Sequence, residues 1–578
     1  MTTIDSWRDQ LLHAVAGAGL LGRPRRVRLP NGERGLEGTL TIAGRTVTVA
    51  LIIDPLFENK IPTVLLRPWD ALGFIPHIDT RGKICYVDPE GMLLDQNRQL
   101  QIIRECFTEV RRTLQAGVTG ANRADFVDEF EAYWSYLESP LLAISSLDPI
   151  DEVSEVVIAT SPTPGAPLRL AHDARGIMHV ADKPPLRGPW ASQHAIYLPL
   201  EPDTLLVPPR PDRPFWTIDD LRALLAHCSE ANRARLASLV TRPARDTEYV
   251  VIGLPRPTGG RALFGVRLGG VGDRHPLAEG GRAAELTPIC IQRRDRGFLV
   301  QRGGGHMELE SKRVLLLGCG SVGGQLAFML ARAGIGALTL VDHDILTAEN
   351  TYRHVLGKPY WGKRKALAMQ QALTVQLPFI KVRAIPISIE AALDQDLIRL
   401  SDFDLIVSAL GNPTAELALN ERVRRDAGPP IVFTWLEPLG IGGHALLTGL
   451  RGEPGCFACL YTDSDDMDDA LHNRASFGKK DQTYGRSLAG CTNLFTPYGA
   501  LDAIRTSELA ARLALDALSA RGQHNDLRSW KGDVTAFTEA GFDVSGRYRF
   551  TEDELRRQGA SYPSARCPVC GDQADRRT

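Results

Sequence analysis

The stretch VLLLGCGSVGGQLAFMLARAGIGALTLVDHD, residues 314–344, decides the fold of the carboxyl-terminal half of this 578-residue chain. Val314 to Leu317 is a short apolar run that reads as a buried strand, and Gly318, Gly320 and Gly323 follow it directly. A helical segment comes next, then a second strand from Ala337 to Val341 that ends on Asp342. Strand, glycine turn, helix and strand in this order predict a βαβ unit in which glycines let backbone N–H groups approach a phosphate and the helix N-terminus adds partial positive charge. Asp342 lies 22 residues beyond Gly320, where a carboxylate can accept ribose hydroxyls. These residues alone allow NAD and ATP equally.

The next segment favours a triphosphate. Asn350, Arg353 and Lys365 bring polar and cationic groups that hydride transfer does not require beside the ribose. In adenylation a carboxylate attacks the α-phosphate and pyrophosphate leaves, so charge building on the bridging oxygen must be offset, and Arg353 and Lys365 are the candidates. The constellation resembles the ThiF/MoeB and ubiquitin-activating enzymes. Their pattern of GxGxxG, DxD, an Asn three residues before an Arg, and a GxxK lysine reads here as Gly318-Gly320-Gly323, Asp342-His343-Asp344, Asn350 to Arg353, and Gly362 to Lys365. The resemblance implies ATP and Mg2+ as cofactors and the C-terminal glycine of a ubiquitin-like protein as the group adenylated. One departure stands out: Gly411, before Asn412, occupies the place where that family keeps a magnesium-holding Asp. Magnesium is then held by another carboxylate such as Asp344, or mainly through ATP and water.

Ten cysteines are too few for a disulfide scaffold, and their spacing is more telling than their number. Cys456-Phe-Ala-Cys459 and Cys567-Pro-Val-Cys570 are two CxxC hooks, together the ligand set of a tetrahedral structural Zn2+ site. They stand 108 residues apart, so the chain must fold back to join them. Members of the activating family do this. Between the hooks, Cys491 follows a polar stretch, Thr462 to Arg486, that reads as a mobile loop. In that family a cysteine at this place, just before a Gly-Ala helix, takes the activated C-terminus as a thioester.

In the amino-terminal third, strand-like segments run from Gly35 to Ile42, Arg45 to Ile53 and Pro62 to Arg67, with a long helix from Gln96 to Leu114. Between them stands Ile75-Pro76-His77-Ile78-Asp79-Thr80-Arg81-Gly82-Lys83-Ile84-Cys85. This resembles the active-site segment of ubiquitin-conjugating enzymes, in which HPN is followed by Gly-x-Ile-Cys. Ile75 stands in place of the His and His77 in place of the Asn. The resemblance implies Cys85 as a second thioester carrier. His77, as a neutral imidazole, is the expected oxyanion donor or general base.

The fold class expected is α/β, in three parts: a conjugating-enzyme-like α+β domain (1–145), a small α/β connector (146–300) with helices near 218–227 and 230–240 and strands near 249–253 and 263–267, and a Rossmann-type adenylation domain with a zinc site (301–578). With 67 Lys plus Arg against 69 Asp plus Glu, nothing points to nucleic acid or to a membrane surface. The apolar run from Val15 to Gly22 is too short to span a bilayer and follows Asp5 and Asp9 in place of a basic segment, so a cytoplasmic enzyme is expected.

Activating and conjugating domains fused in this order resemble the proteins of bacterial CBASS antiphage operons. That resemblance implies a cyclic-oligonucleotide synthase whose C-terminus is activated, target proteins with accessible lysines, and a homodimer. An arginine reaching across the dimer would come from Arg293, Arg294 or Arg302. Two rival readings are activation of a ubiquitin-like or sulfur-carrier protein, and a nucleotide-binding scaffold without turnover.

Overall fold

The computed structural model describes residues 3–28, 34–54, 60–161, 163, 165–179, 190–462, 472–487, 494–519, 524–559 and 561–571. The chain divides into two compact units, Met1–Asp295 and Arg296–Thr578.

The first unit opens with helix α1 (Thr3–Gly17) and an antiparallel sheet of β1 (Gly22–Arg28), β2 (Arg34–Ile42), β3 (Arg45–Ile52) and β4 (Thr63–Arg67), ordered as in the sequence. Period-two alternation puts Val47, Val49 and Leu51 of β3 on the inner face beside Val64 and Leu66 of β4. Helix α2 (Gln99–Thr119) covers that face with Ile103, Phe107, Val110 and Leu114, a 3.6-residue stripe. It ends at Gly120, whose φ of +78° is the left-handed cap that glycine adopts without strain.

The rest of the unit is a closed seven-stranded barrel in place of the small α/β domain expected. Its strands are β5 (Leu141–Ser145), β6 (Ser154–Thr160), β7 (Leu168–Ala171), β8 (Ala191–Pro199), β9 (Thr247–Pro255), β10 (Arg261–Gly269) and β11 (Glu285–Arg293). They close in the order β10-β11-β5-β7-β6-β8-β9. Two barrel strands and both helices fall where the sequence predicts them. The barrel also takes in β5, on the amino-terminal side of the 145/146 division. Short helices α3 (Asp125–Asp128) and α4 (Phe130–Ser135) lie between the sheet and the barrel in sequence and touch the loop that follows β4 and the barrel. Phe126 packs against Phe74 at 4.9 Å, whereas Phe130 and Trp134 each stand 4.5 Å from Phe264 of β10. The Trp134 indole N–H donates to the Ile289 carbonyl at 3.1 Å.

The second unit holds a seven-stranded sheet: β12 (Arg313–Leu317), β13 (Ala337–Val341), β14 (Lys381–Ile385), β15 (Leu405–Ser408), β16 (Ile431–Leu436), β17 (Gly442–Thr448) and β18 (Asp526–Lys531). The spatial order is β14-β13-β12-β15-β16-β17-β18; the first five strands are parallel, and β17 pairs antiparallel with both β16 and β18. Val314 to Leu317 are all 0% exposed, which is why β12 reads as an unbroken apolar run. Helices α5 (Ser321–Arg332), α6 (Lys365–Gln376), α7 (Pro413–Arg425) and α8 (Ala500–Leu518) pack about this sheet. The strand order reverses between β12 and β15, so a crevice opens at their carboxyl ends, the place where open parallel sheets bind ligands. Among the described residues, no helix is long and apolar enough to cross a membrane.

Candidate functional site

The crevice begins with the glycine turn. A Cβ on Gly323 would fall 1.9 Å from the Gly318 carbonyl oxygen, and one on Gly318 would fall 2.5 Å from that of Ala409. Both glycines are therefore required by protein packing. Gly320, by contrast, faces open space, with nothing within 4 Å of its added carbon. It leaves the backbone at the start of α5 free to approach a ligand.

Asp342 is 8% exposed and braces this turn. Its Oδ2 accepts the amide of Cys319 at 2.6 Å and its Oδ1 that of Asp344 at 2.7 Å, which leaves lone pairs for ribose hydroxyls. Beneath the turn lies His354, a group the sequence reasoning passed over. Its Nε2 donates to the Cys319 carbonyl at 2.7 Å and its Nδ1 accepts the Leu356 amide at 3.0 Å. Burial holds its pKa below the ordinary value, so the ring is a neutral strut.

Gly320, Asn350, Arg353 and Lys365 line one cavity of about 610 Å³, with Gly411, Glu416 and Trp435 on its other wall. Lys365 pairs with Asp344 at 2.8 Å, and this ion pair keeps the Asp344 carboxyl below its usual range despite partial burial. Arg353 lies over the ring of Tyr498, 5.2 Å from its centroid, and the Tyr498 hydroxyl meets Ser321 Oγ at 2.7 Å. Asp342, His343 and Asp344 each offer a ligand atom within 4.8 Å of one another; only the two carboxylates supply the oxygen donors that a hard cation takes. Beyond Trp435, the Glu437 carboxylate takes the amides of Phe477 and Gly478 at 2.5 and 2.8 Å, fixing the segment that walls the cavity.

Cys491 lies outside the described residues. Phe495, Thr496 and Tyr498, a few residues beyond it, line the same cavity. The two CxxC hooks meet: Cys456 and Cys567 sulfurs are 3.6 Å apart, those of Cys459 and Cys570 3.3 Å, and all four lie within 4.8 Å. A tetrahedral ion with sulfur ligands at about 2.3 Å needs sulfur separations near 3.8 Å, so these residues fit a metal. Of the arginines considered as a reach across a dimer, Arg293 is committed elsewhere. Its guanidinium pairs with buried Asp295 at 2.7 Å and donates to the Arg261 carbonyl at 2.8 Å.

In the first unit Cys85 is an exposed thiol whose pKa is raised chiefly by partial burial. Its amide donates to the His77 carbonyl at 2.8 Å, and Gly82 turns the loop with φ +87°, where an added Cβ would fall 2.2 Å from the Leu66 carbonyl oxygen. His77 itself has φ +67°, an unusual conformation for a side-chain-bearing residue. Its Nδ1 meets Glu129 at 2.8 Å and its Nε2 meets Asp125 at 2.7 Å. The hydrogen bond to Glu129 is the largest contribution to a pKa raised to about 9. The ring is thus an imidazolium at neutral pH with both nitrogens occupied. This corrects the expectation of a neutral imidazole: in this geometry His77 has no lone pair with which to act as a base. Asp125 and Glu129 were missed by sequence reasoning, although their i, i+4 spacing was a signal that both acids share one helical face.

Comparison with known proteins finds a family match in each of the two units. Residues 295–522 match the ThiF family and residues 29–142 the Prokaryotic E2 family B. The chain is 26% identical to an ATP-dependent ubiquitin transferase-like protein Cap2 of Pseudomonas aeruginosa (strain BWHPSA011 / Pa011), over 80% of this chain and 84% of that protein. It is 22% identical to the protein of the same description from Vibrio cholerae serotype O1, over 88% of this chain and 94% of the relative. The adenylyltransferase and sulfurtransferase MOCS3 of Mus musculus is 32% identical over 32% of this chain and 39% of its own. Among solved structures, E. coli MccB with ATP aligns over 47% of this chain and 69% of that chain at 19% identity, with a TM-score of 0.32.

Proposed function

We propose, from a chain that joins a ThiF domain to a prokaryotic E2 family B domain, that one polypeptide activates a protein C-terminus and conjugates it to an amine. The carboxylate attacks the α-phosphate of ATP in the crevice after β12, and pyrophosphate leaves. Gly320 and the start of α5 cradle phosphate, Arg353 and Lys365 offset charge on the leaving group, and Asp342 holds the ribose. Mg2+ arriving with ATP would meet the carboxylates of Asp342 and Asp344 and neutralise phosphate charge. The acyl group passes to Cys491, then to Cys85, and then to an acceptor amine. The four hook cysteines hold a structural Zn2+ ion.

One observation carries the reading. The chain that holds the glycine-turn cavity with Arg353 and Lys365 also presents an exposed thiol, Cys85, beside a carboxylate-bound histidine. Activation of a sulfur carrier needs no such thiol, which favours conjugation over that rival. We extend the reading to a CBASS setting: the activated tail is that of a cyclic-oligonucleotide synthase, and the enzyme works in the cytoplasm as a homodimer.

The test is ATP–pyrophosphate exchange stimulated by candidate protein tails, followed by non-reducing electrophoresis. Cys491→Ser should stop transfer at an oxyester on residue 491, and Cys85→Ser should stop it one step later. Failure of every protein tail to stimulate exchange rejects adenylation. Undiminished conjugation by both variants rejects the relay alone.

A further inference from the structure

A smaller cavity of the second unit, about 250 Å³, is lined by Arg474, Arg547, Gln558 and Ser561, and no acid lines it. The hydrogen-bond acceptors of both guanidiniums, among the described residues, are neutral oxygens. Arg474 Nη1 donates to the carbonyls of Cys459 and Tyr562 at 3.1 and 3.5 Å. Arg547 donates from Nε to the Ala475 carbonyl at 3.1 Å, from Nη1 to Gln558 Oε1 at 3.3 Å and from Nη2 to Ser529 Oγ at 3.0 Å. A guanidinium has five N–H donors, so both keep donors that these oxygens leave free. Burial, opposed by Glu437 and reinforced by the charge of Arg474, pulls the Arg547 pKa down to about 10. Two like charges thus line one cavity with no carboxylate bonded to either among the described residues, an arrangement that an anion would relieve.

We infer that Arg474 and Arg547 form a binding site for a small tetrahedral oxyanion, inorganic phosphate, and that its occupancy strengthens ATP binding in the crevice. A phosphate dianion neutralises both guanidiniums, and their planar forks match its oxygens in pairs. A carboxylate would cancel only one charge. The cavity is smaller than the roughly 300–1,000 Å³ of clefts that enclose larger ligands, so a free ion suits it.

The coupling rests on the reading of the crevice as an ATP site. A chain of hydrogen bonds joins the two cavities. Ser529 Oγ, which accepts from Arg547, meets His444 Nδ1 at 2.8 Å, and His444 Nε2 meets Glu437 Oε1 at 2.7 Å. Against its burial, the bond from His444 holds the Glu437 pKa below the usual range, so this carboxylate only accepts. The imidazole proton is therefore on Nε2, and Ser529 donates to Nδ1. Each bond points from Arg547 toward Glu437, whose Oε2 takes the Ser476 hydroxyl at 3.0 Å and the Gly478 amide at 2.8 Å. Glu437 and Ser476 line the crevice. An ion that fixes Arg547 fixes this chain from its far end, which leaves ATP less of the crevice wall to order. By reciprocity, ATP tightens the binding of the ion.

The experiment titrates the full-length chain calorimetrically with inorganic phosphate, and with ATP in the absence and presence of saturating phosphate, at constant ionic strength. Arg474→Gln, at an exposed side chain, should weaken phosphate binding at least tenfold. Arg512→Gln, which removes an exposed cation on α8, should leave it within twofold. Phosphate should raise ATP affinity at least threefold in the parent and in Arg512→Gln, but not in Arg474→Gln. A fall in ATP affinity that is the same in all three would put the phosphate in the crevice and overturn the site, as would equal weakening by both substitutions. Tighter binding of phosphoserine than of phosphate overturns the free ion as the ligand. Phosphate that binds through Arg474 but leaves ATP affinity unchanged overturns the coupling. A parent chain that takes phosphate through Arg474 but binds no ATP sinks the ATP reading and the coupling with it, while the ion site stands.

Discussion

Glu416, on the first turn of α7, reaches back to accept a hydrogen bond from Ser408 Oγ, the last residue of β15, at 2.7 Å. Between them the backbone turns through Gly411 at φ +63°. Burial pushes the Glu416 carboxyl up to about 8, against the lowering effect of its hydrogen bonds from Ser408 and Leu410. The chain thus has no acid at 411 and keeps one five residues on that is neutral at pH 7, a brace for the turn in place of an ionised metal ligand.

Glu416→Gln should preserve that brace and remove its pH dependence. A carboxyl whose folded pKa lies near 8, above an unfolded value of about 4.3, gives stability that is complete below the unfolded pKa and is lost as pH rises through 8. Melting temperatures from pH 5 to 9 should fall more steeply for the parent than for the variant. Parallel curves would refute the assignment.

The glycines of the turn should separate folding from ligand binding. Gly323→Ala forces a carbon to within 1.9 Å of a carbonyl oxygen and should cost about 1–3 kcal/mol, or more if the turn cannot move. Gly320→Ala meets no protein atom and should leave the fold within about 1 kcal/mol of the parent, yet weaken ATP binding at least tenfold. Thermal melts and nucleotide titration calorimetry together decide this; wild-type affinity in Gly320→Ala would count against a phosphate at that position.

His77 should titrate near pH 9 by NMR. Because its folded pKa exceeds the unfolded value of about 6.5, its ion pairs stabilise the fold fully below that value and progressively less up to pH 9. Glu129→Gln removes the largest cause of the shift and should bring the midpoint down. A midpoint that stays near 9 in that variant would show that Glu129 does not hold the ring.

Elemental analysis of the purified chain should find about one zinc per polypeptide, with Cys456→Ser and Cys570→Ser each reducing it. Strong chelators should lower the melting temperature of the second unit, since a closed site contributes binding free energy to folding. A metal-free preparation with unchanged stability would leave the cysteine cluster without that role.

Much of the second unit was legible because its signals are local. A strand buried on both faces shows as an apolar run, and the turn between β12 and α5 announces itself through glycines that packing demands. The hooks were legible for the same reason, as spacing within four residues. The barrel was not. β5 pairs with β11 across nearly 150 residues of chain, and Pro-rich breaks interrupt the strands between them. Likewise nothing local marks Asp125 and Glu129 as partners of His77, 48 and 52 residues away; only the fold brings them there. His77 was found by its motif, but its charge state follows from those neighbours and so was read wrongly.

Trp134 and Phe130 anchor on Phe264, so the acids that clamp His77 stand on a footing supplied by the barrel, while the thiol they face belongs to the sheet's loop. What looked in the sequence like a spacer is a foundation for one wall of the thiol's cavity. Damage to the barrel at Phe264, almost 180 residues downstream of Cys85, would therefore register at the thiol as a loosened histidine before it registered as a lost domain.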